Sequence, residues 1–169
     1  SDAMFRKRLD RHRLSDLRAA IVEHDLRLAA RCAADLVTLA PWDAQAPAAL
    51  DLLDAIADPA NVSGIPADRL ACARGIRASR AGLAEAAAAI LAPLMVSEDP
   101  EVADQAAILG GLAMARSGGA EEAVAILMRH GQSAKPERAA QALLAAAWVR
   151  FDQGRRDAAG PILRDLLLR

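Results

Sequence analysis

Residues 82–91 read GLAEAAAAIL, and related segments follow as GGAEEAVAIL at 118–127 and GRRDAAGPIL at 154–163. The three segments begin 36 residues apart, a spacing typical of a repeated supersecondary unit. Each has glycine first, an acidic residue three positions later, alanine after five, and Ile-Leu after eight and nine. The pattern predicts three consecutive helical hairpins.

Every shared position has a mechanical role in such a hairpin. Glycine readily adopts the left-handed conformation that ends a helix. The glycines predicted to close the first helix of each hairpin are Gly82, Gly118 and Gly154. The acidic residue then lies in the first turn of the second helix, where the helix dipole favours negative charge. Small residues seven positions before each glycine would let the paired helices approach closely, and these are Gly75, Gly111 and Ala147.

These signals place helices along residues 66–169. The expected ranges are about 67–81, 84–96, 100–117, 120–130, 136–153 and 156 or 161–168. Asp99 before Pro100 is a favourable N-cap followed by proline in the first helical position. Gly160-Pro161 is expected to interrupt the last helix, because proline lacks the backbone N–H.

The first third of the chain is less regular. Apolar residues spaced by three and four predict either one helix over residues 15–40 or a hairpin that turns at His24-Asp25, and we prefer the hairpin. A further helix is expected at about 47–57. The stretch DPANVSGIP at 58–66 is typical of a linker.

The small residue, turn and Ala-x-x-x-Leu pattern resembles a tetratricopeptide (TPR) repeat over about residues 66–169. The matching sets are Gly75 with Ala87 and Leu91, Gly111 with Ala123 and Leu127, and Ala147 with Ala159 and Leu163. Pro100 and Pro136 stand near the family's closing proline. The period of 36 differs from the usual ~34, and the family's aromatic positions are not aromatic here.

The resemblance implies an all-α fold of antiparallel helical hairpins stacked as a TPR-like α-solenoid of about eight or nine helices. Residues 1–3 look like an expression scar, and 4–169 are expected to form one domain. Within it, 4–65 would hold irregular helices and 66–169 the three repeat units.

Composition restricts the function classes. The chain is 54% hydrophobic but only 2% aromatic, which favours close-packed helices built on small side chains. A formal net charge of −1 gives no reason to expect nucleic acid as a partner of the whole chain. Cys32 and Cys72 are expected to be reduced thiols of a cytoplasmic protein. Its apolar runs are too short for a membrane span.

Nothing in the sequence indicates catalysis, a metal or a cofactor. The three histidines are isolated, and no phosphate-binding or nucleophile motif is present. Asp51 and Asp54 lie on one helical face and could mimic a carboxylate pair, but a solvated polar face explains them better. We therefore expect a protein without enzymatic activity.

In the family, the first helices of the pairs line a concave face. The corresponding residues here are Arg69, Ile76, Arg80, Gln105, Ile108, Leu112, Arg116, Gln141, Leu144, Trp148 and Phe151. Such a groove is apolar at its centre, with Arg and Gln at its edges, and fits a partner's peptide or helix. Trp148 and Phe151 would be its anchors, and the arginines would select partner charge.

Five residues of this groove are large and apolar, namely Ile108, Leu112, Leu144, Trp148 and Phe151. Leaving all five side chains in water would lose on the order of 10 kcal/mol of folding free energy. The covering surface is expected to be the chain's own N-terminal helices, a second copy in a homodimer, or a separate protein partner. The alternative function is binding of nucleic acid or an anionic surface through the basic segment 4–18, although a solvated helix end explains this segment better.

Overall fold

The computed structural model describes residues 15–19, 26–56, 62–132 and 135–168, and all regular elements in these ranges are helical. The all-α class is therefore confirmed for the described residues. The chain divides into two compact units after Arg77. The basic segment up to residue 14 and the possible turn at His24-Asp25 lie outside the described ranges. The same holds for residue 57, the last of the helix predicted at 47–57, and for residues 58–61 of the predicted linker.

The first unit is built on two packed helices, α1 (Leu26–Leu39) and α2 (Ala46–Ile56), followed by the start of α3 (Ala67–Arg80). Its core is mainly alanine and leucine from α1 and α2. Arg69 donates to the carbonyl oxygens of Thr38 at 2.8 Å and Leu39 at 3.3 Å, and its guanidinium lies 5.7 Å from the Trp42 ring centroid. A cation at the C-terminus of α1 complements the helix dipole.

The second unit holds the end of α3 and the elements that follow it in order. They are α4 (Ala84–Leu91), a 3₁₀ helix (Ala92–Val96), α5 (Pro100–Arg116), α6 (Ala120–His130), α7 (Pro136–Asp152) and α8 (Arg156–Leu168). Helix α5 packs against α4 and α6, α7 packs against α6 and α5, and α8 packs against α7. The predicted helix positions are confirmed to within about one residue at each end, except at the C-terminus of α4.

The same turn closes α3, α5 and α7. Gly82, Gly118 and Gly154 have φ values of 78°, 104° and 76°, which is the left-handed region. In each turn the amide after the glycine donates to the carbonyl five residues earlier, over 2.9–3.0 Å, and the glycine amide donates to the carbonyl three residues earlier. This pair of bonds is the Schellman arrangement, which satisfies carbonyls left over at a helix end. The predicted role of the glycines is confirmed.

The N-terminus of α5 also follows the sequence prediction. The Asp99 side chain accepts hydrogen bonds from the amides of Glu101 at 3.0 Å and Val102 at 3.4 Å, and Pro100 is the first helical residue. At the N-terminus of α7, Lys135 takes the place of Asp99 and makes no side-chain cap, because an ammonium group has no acceptor.

Two prolines act differently from the sequence prediction. Helix α4 ends at Leu91 instead of continuing to 96, and residues 92–96 are 3₁₀, because Pro93 cannot donate the α-helical hydrogen bond. Pro161, in contrast, lies inside the continuous helix α8, so the expected interruption is wrong. Gly160 precedes Pro161 and has no Cβ to clash with the proline ring.

Close approach of helices depends on small residues in α5 and α6. A Cβ on Gly111 would lie 3.1 Å from Leu127 Cγ, so the leucine of α6 packs directly on the α5 backbone. A Cβ on Gly131, just after α6, would lie 2.5 Å from Leu143 Cδ2 of α7. Leu127 and Leu143 are both fully buried as a result.

Replacing Gly118 by alanine tests the left-handed turn. We expect Gly118→Ala to lower the free energy of unfolding by about 1–2 kcal/mol, because a Cβ clashes in this conformation. Denaturant unfolding followed by circular dichroism measures the change. The matched control is Gly64→Ala, since Gly64 has room for a methyl group and lies outside the left-handed region. Equal destabilisation by both changes would contradict the proposed role of the turn.

Candidate functional site

The second unit contains an apolar groove of about 690 Å³, formed by α5, α7 and α8. We call it the α5/α7/α8 groove. Helix α5 contributes Gln105, Ile108, Leu109 and Leu112; α7 contributes Gln141, Leu144, Ala145, Ala147, Trp148 and Phe151; and α8 contributes Ala159 and Leu163. These lining side chains carry no charge, and their polar groups are two glutamine amides and the indole N–H of Trp148.

Helical periodicity brings the α7 side chains to one face. Gln141, Leu144, Trp148 and Phe151 are separated by three, four and three residues, which is the spacing of one helical stripe. The Trp148 and Phe151 rings are stacked, with centroids 6.2 Å apart and an interplanar angle of 24°. The Arg156 guanidinium lies 5.3 Å from the Phe151 ring centroid, so one edge of the aromatic pair borders a cation.

Much of this stripe is exposed. Leu144, Trp148 and Phe151 have 55%, 58% and 48% of their surface accessible, whereas Ile108 is buried and Leu112 half-buried. An exposed aromatic pair beside an exposed leucine can bury apolar surface of a second molecule. The groove is therefore suited to recognition of an apolar surface, and its lining offers no group for acid–base or nucleophilic chemistry.

A charged cluster ties α6 to the turn between α7 and α8. Glu121, in the first turn of α6, accepts hydrogen bonds from Arg150 at 2.5 Å and from Arg155 at 2.8 Å. The hydrogen bond from Arg150 is the main cause that lowers the pKa of Glu121 below its ordinary value of 4.5. The acidic residue that the repeat pattern assigns to the helix dipole thus also pairs with the following hairpin.

The other end of α7 is held by a second cluster. Arg138 lies 3.0 Å from Asp104 and 3.9 Å from Glu101, both in α5, and His130 of α6 lies 3.8 Å from the same Asp104 carboxylate. Ion pairs therefore connect α7 near both of its ends to the preceding hairpin.

The structure brings together seven of the eleven residues that the sequence predicts for the groove. These are Gln105, Ile108, Leu112, Gln141, Leu144, Trp148 and Phe151. Arg69 and Ile76 belong to the first unit, where Arg69 binds the end of α1 and Ile76 is buried. Arg80 is exposed at the end of α3. Arg116 borders a neighbouring small hollow with Asp152 and the other side of Trp148.

Sequence reasoning missed the contribution of α8. Ala159 and Leu163 line the groove although they belong to a second helix, and the prediction drew only on first helices. Both residues occupy shared positions of the repeat pattern, so that pattern could have been used to include them in the groove. The buried member of the Ile-Leu pair also changes from one repeat to another. In the first two repeats it is the leucine, Leu91 or Leu127, whereas in the last it is the isoleucine, Ile162.

Other candidate sites are explained by structural contacts. Asp51 and Asp54 are exposed and bind Arg77 at 3.0 and 2.6 Å, and the bond to Asp54 is the main cause that raises the Arg77 pKa. No group of three or more His, Cys, Asp or Glu side chains suited to a metal ion occurs in the described ranges. None of the described helices is long and apolar enough to cross a bilayer.

Comparison with known proteins gives no relative: no protein-family model, curated protein or solved structure matches this chain. The groove must therefore be interpreted from its own residues.

Selective quenching tests the exposure of Trp148. In the Trp42→Phe variant only Trp148 fluoresces, and we expect acrylamide to quench it more strongly than it quenches Trp42 in the Trp148→Phe variant. Trp148 is exposed, whereas Trp42 is half-buried. Stern–Volmer constants measure the difference, and a Trp148 less accessible than Trp42 would contradict the open groove.

The lowered pKa of Glu121 predicts a pH-dependent contribution to stability. In the folded protein the Glu121 carboxylate stays ionised below the ordinary pKa of 4.5. Its contribution to the free energy of unfolding is therefore complete above pH 4.5 and is lost as the pH falls through the lowered pKa of the folded state. Glu121→Gln should therefore lower the free energy of unfolding at neutral pH but not in strong acid. Urea unfolding at several pH values measures this. Glu122→Gln, in the same helical turn, is the control for the helix dipole and should cause a smaller change.

Proposed function

We propose that this protein is a non-enzymatic interaction module, built from TPR-like helical hairpins, which binds a partner protein's peptide or helix in the α5/α7/α8 groove. The observation that carries the proposal is the stacked and half-exposed pair of Trp148 and Phe151 beside Leu144 in an uncharged groove.

Energetic magnitude supports a binding role for these side chains. Fully burying a large apolar side chain contributes about 1.5–3 kcal/mol of free energy. Leu144, Trp148 and Phe151 are each about half exposed, so the isolated chain lacks several kcal/mol that a bound partner could supply. The whole stability of a domain is only about 5–15 kcal/mol. Binding hot spots are enriched in tryptophan, and they favour pockets from which water is excluded. Trp148 is such a tryptophan, and a bound partner would exclude water from its exposed surface.

Repetition of the turn geometry supports the TPR-like part of the proposal. Three Schellman turns recur at 36-residue steps, and α7 packs on α5 and α6 of the preceding hairpin. The lack of titratable side chains in the groove lining supports a binding function over a catalytic one, because acid–base and nucleophilic chemistry need such groups.

Selection of peptides from an unconstrained random library, displayed on phage, tests the function. We expect the full chain to enrich peptides whose affinity falls roughly 30-fold in the Trp148→Ala variant, as for a hot spot worth about 2 kcal/mol. Isothermal titration calorimetry measures the affinities.

The matched control is Val96→Ala, which truncates an exposed apolar side chain that does not line the groove. Circular dichroism confirms that both variants are folded. Enriched peptides that bind wild type and Trp148→Ala equally would place binding elsewhere and reject the groove, as would a selection that enriches nothing.

A further inference from the structure

Resting on the function proposed above, we propose that the occupant of the groove is one amphipathic helix of a partner protein. This helix docks on α7 and α8 as α7 itself docks on α5 and α6. It is about as long as α7 and carries a basic residue near its C-terminus that pairs with Asp157.

The part of the groove that α7 and α8 form repeats a surface of α5 and α6 that α7 covers in part. Leu144, Trp148 and Leu163 of the groove stand 36 residues after Ile108, Leu112 and Leu127. Those three earlier residues belong to one hydrophobic cluster with side chains of α7. The protein therefore contains its own example of what such a surface binds, and that example is a helix.

Burial separates the two copies of this surface. Leu127, within the cluster that includes Leu143 of α7, is fully buried, whereas its counterpart Leu163 is 40% exposed. Ile108 is buried, whereas its counterpart Leu144 is exposed. A helix lying on α7 and α8 would return Leu144 and Leu163 to the environment of Ile108 and Leu127.

Helix α7 indicates which side chains the docking helix needs. Seven of its positions are buried, and five of these are spaced by three, one, three and three residues along one helical face. The five are Ala139, Ala142, Leu143, Ala146 and Val149. Alanine at three of these positions lets the helix axes approach closely. Trp148 is larger than its counterpart Leu112, so the partner helix also requires small residues opposite it.

Charged side chains determine the direction in which the partner helix docks. Arg150, seven residues after Leu143, binds Glu121 in the first turn of α6. Asp157 lies 36 residues after Glu121, in the first turn of α8, and is exposed. A helix that docks as α7 does would therefore bring a basic residue, seven positions after its central leucine, to Asp157.

A constrained peptide library tests the proposal on the full chain. The library has the 17-residue sequence of α7, with these five face positions randomised and its outward-facing Trp148 replaced by phenylalanine. The target is the Trp42→Phe protein, in which Trp148 alone reports binding. We expect selected peptides to keep small or apolar residues at the randomised positions, to shift Trp148 emission to the blue, and to become helical on binding by circular dichroism.

The ion pair is tested by exchanging the charges. Asp157→Asn should weaken the selected peptides roughly 2- to 5-fold, the range for an exposed pair, whereas Glu122→Gln should not. Asp157→Arg should weaken them further, and a peptide with glutamate at the position of Arg150 should recover the loss. Absence of this recovery would overturn the proposed docking polarity.

The experiments distinguish failure of the helix proposal from failure of the proposed function. If peptides from the unconstrained library bind through Trp148 but stay non-helical, the helix proposal is wrong and the proposed function stands. If neither library yields Trp148-dependent binding, both are wrong. A protein dimer in sedimentation velocity that Trp148→Ala dissociates would make the occupant a second copy, and would also overturn the proposal.

Discussion

The left-handed backbone conformation of one glycine per hairpin is the constraint on which the second unit depends. At Gly82, Gly118 and Gly154 it ends a helix, satisfies two of its terminal carbonyls and redirects the chain within two residues. The same backbone turn therefore precedes α4, α6 and α8. After these turns, α6 packs on α5 and α8 packs on α7.

Small side chains then decide how near the helices lie and which residues the interior can hold. Leu127 packs on the backbone of Gly111, and the cores consist mostly of alanine with a few leucine and valine residues. Such an interior leaves little space for an aromatic ring. This accounts for the position of Trp148 and Phe151 at the surface of α7, and it connects the low aromatic content to the composition of the groove.

Much of the fold was predictable because its signals are local. Glycine after an apolar helical pattern, aspartate before Pro100 and the 36-residue spacing all depend on neighbouring residues, and the helices they predict are confirmed. The groove was predicted in part. Helical periodicity alone places Leu144, Trp148 and Phe151 on one face. Arg69, in contrast, lies at the end of α1, where it donates a hydrogen bond to Thr38, 31 residues away in sequence. Pairs this distant, like Arg150 with Glu121, leave no local pattern in a single sequence. The effect of Pro161 was also missed, because the tolerance of a helix for proline depends on its surroundings.

The repeated relation between Leu127 and Leu163 also bears on how such a chain would evolve. An in-frame tandem duplication of residues 118–153 would supply another turn glycine and another first helix, and that helix would meet apolar side chains already arranged for it. With the stacking of hairpins proposed above, each added copy would cover one face and present an equivalent new one, so its gain in folding free energy would be nearly the same at every step. The gene would thus enlarge by whole hairpins, without change to the existing interior.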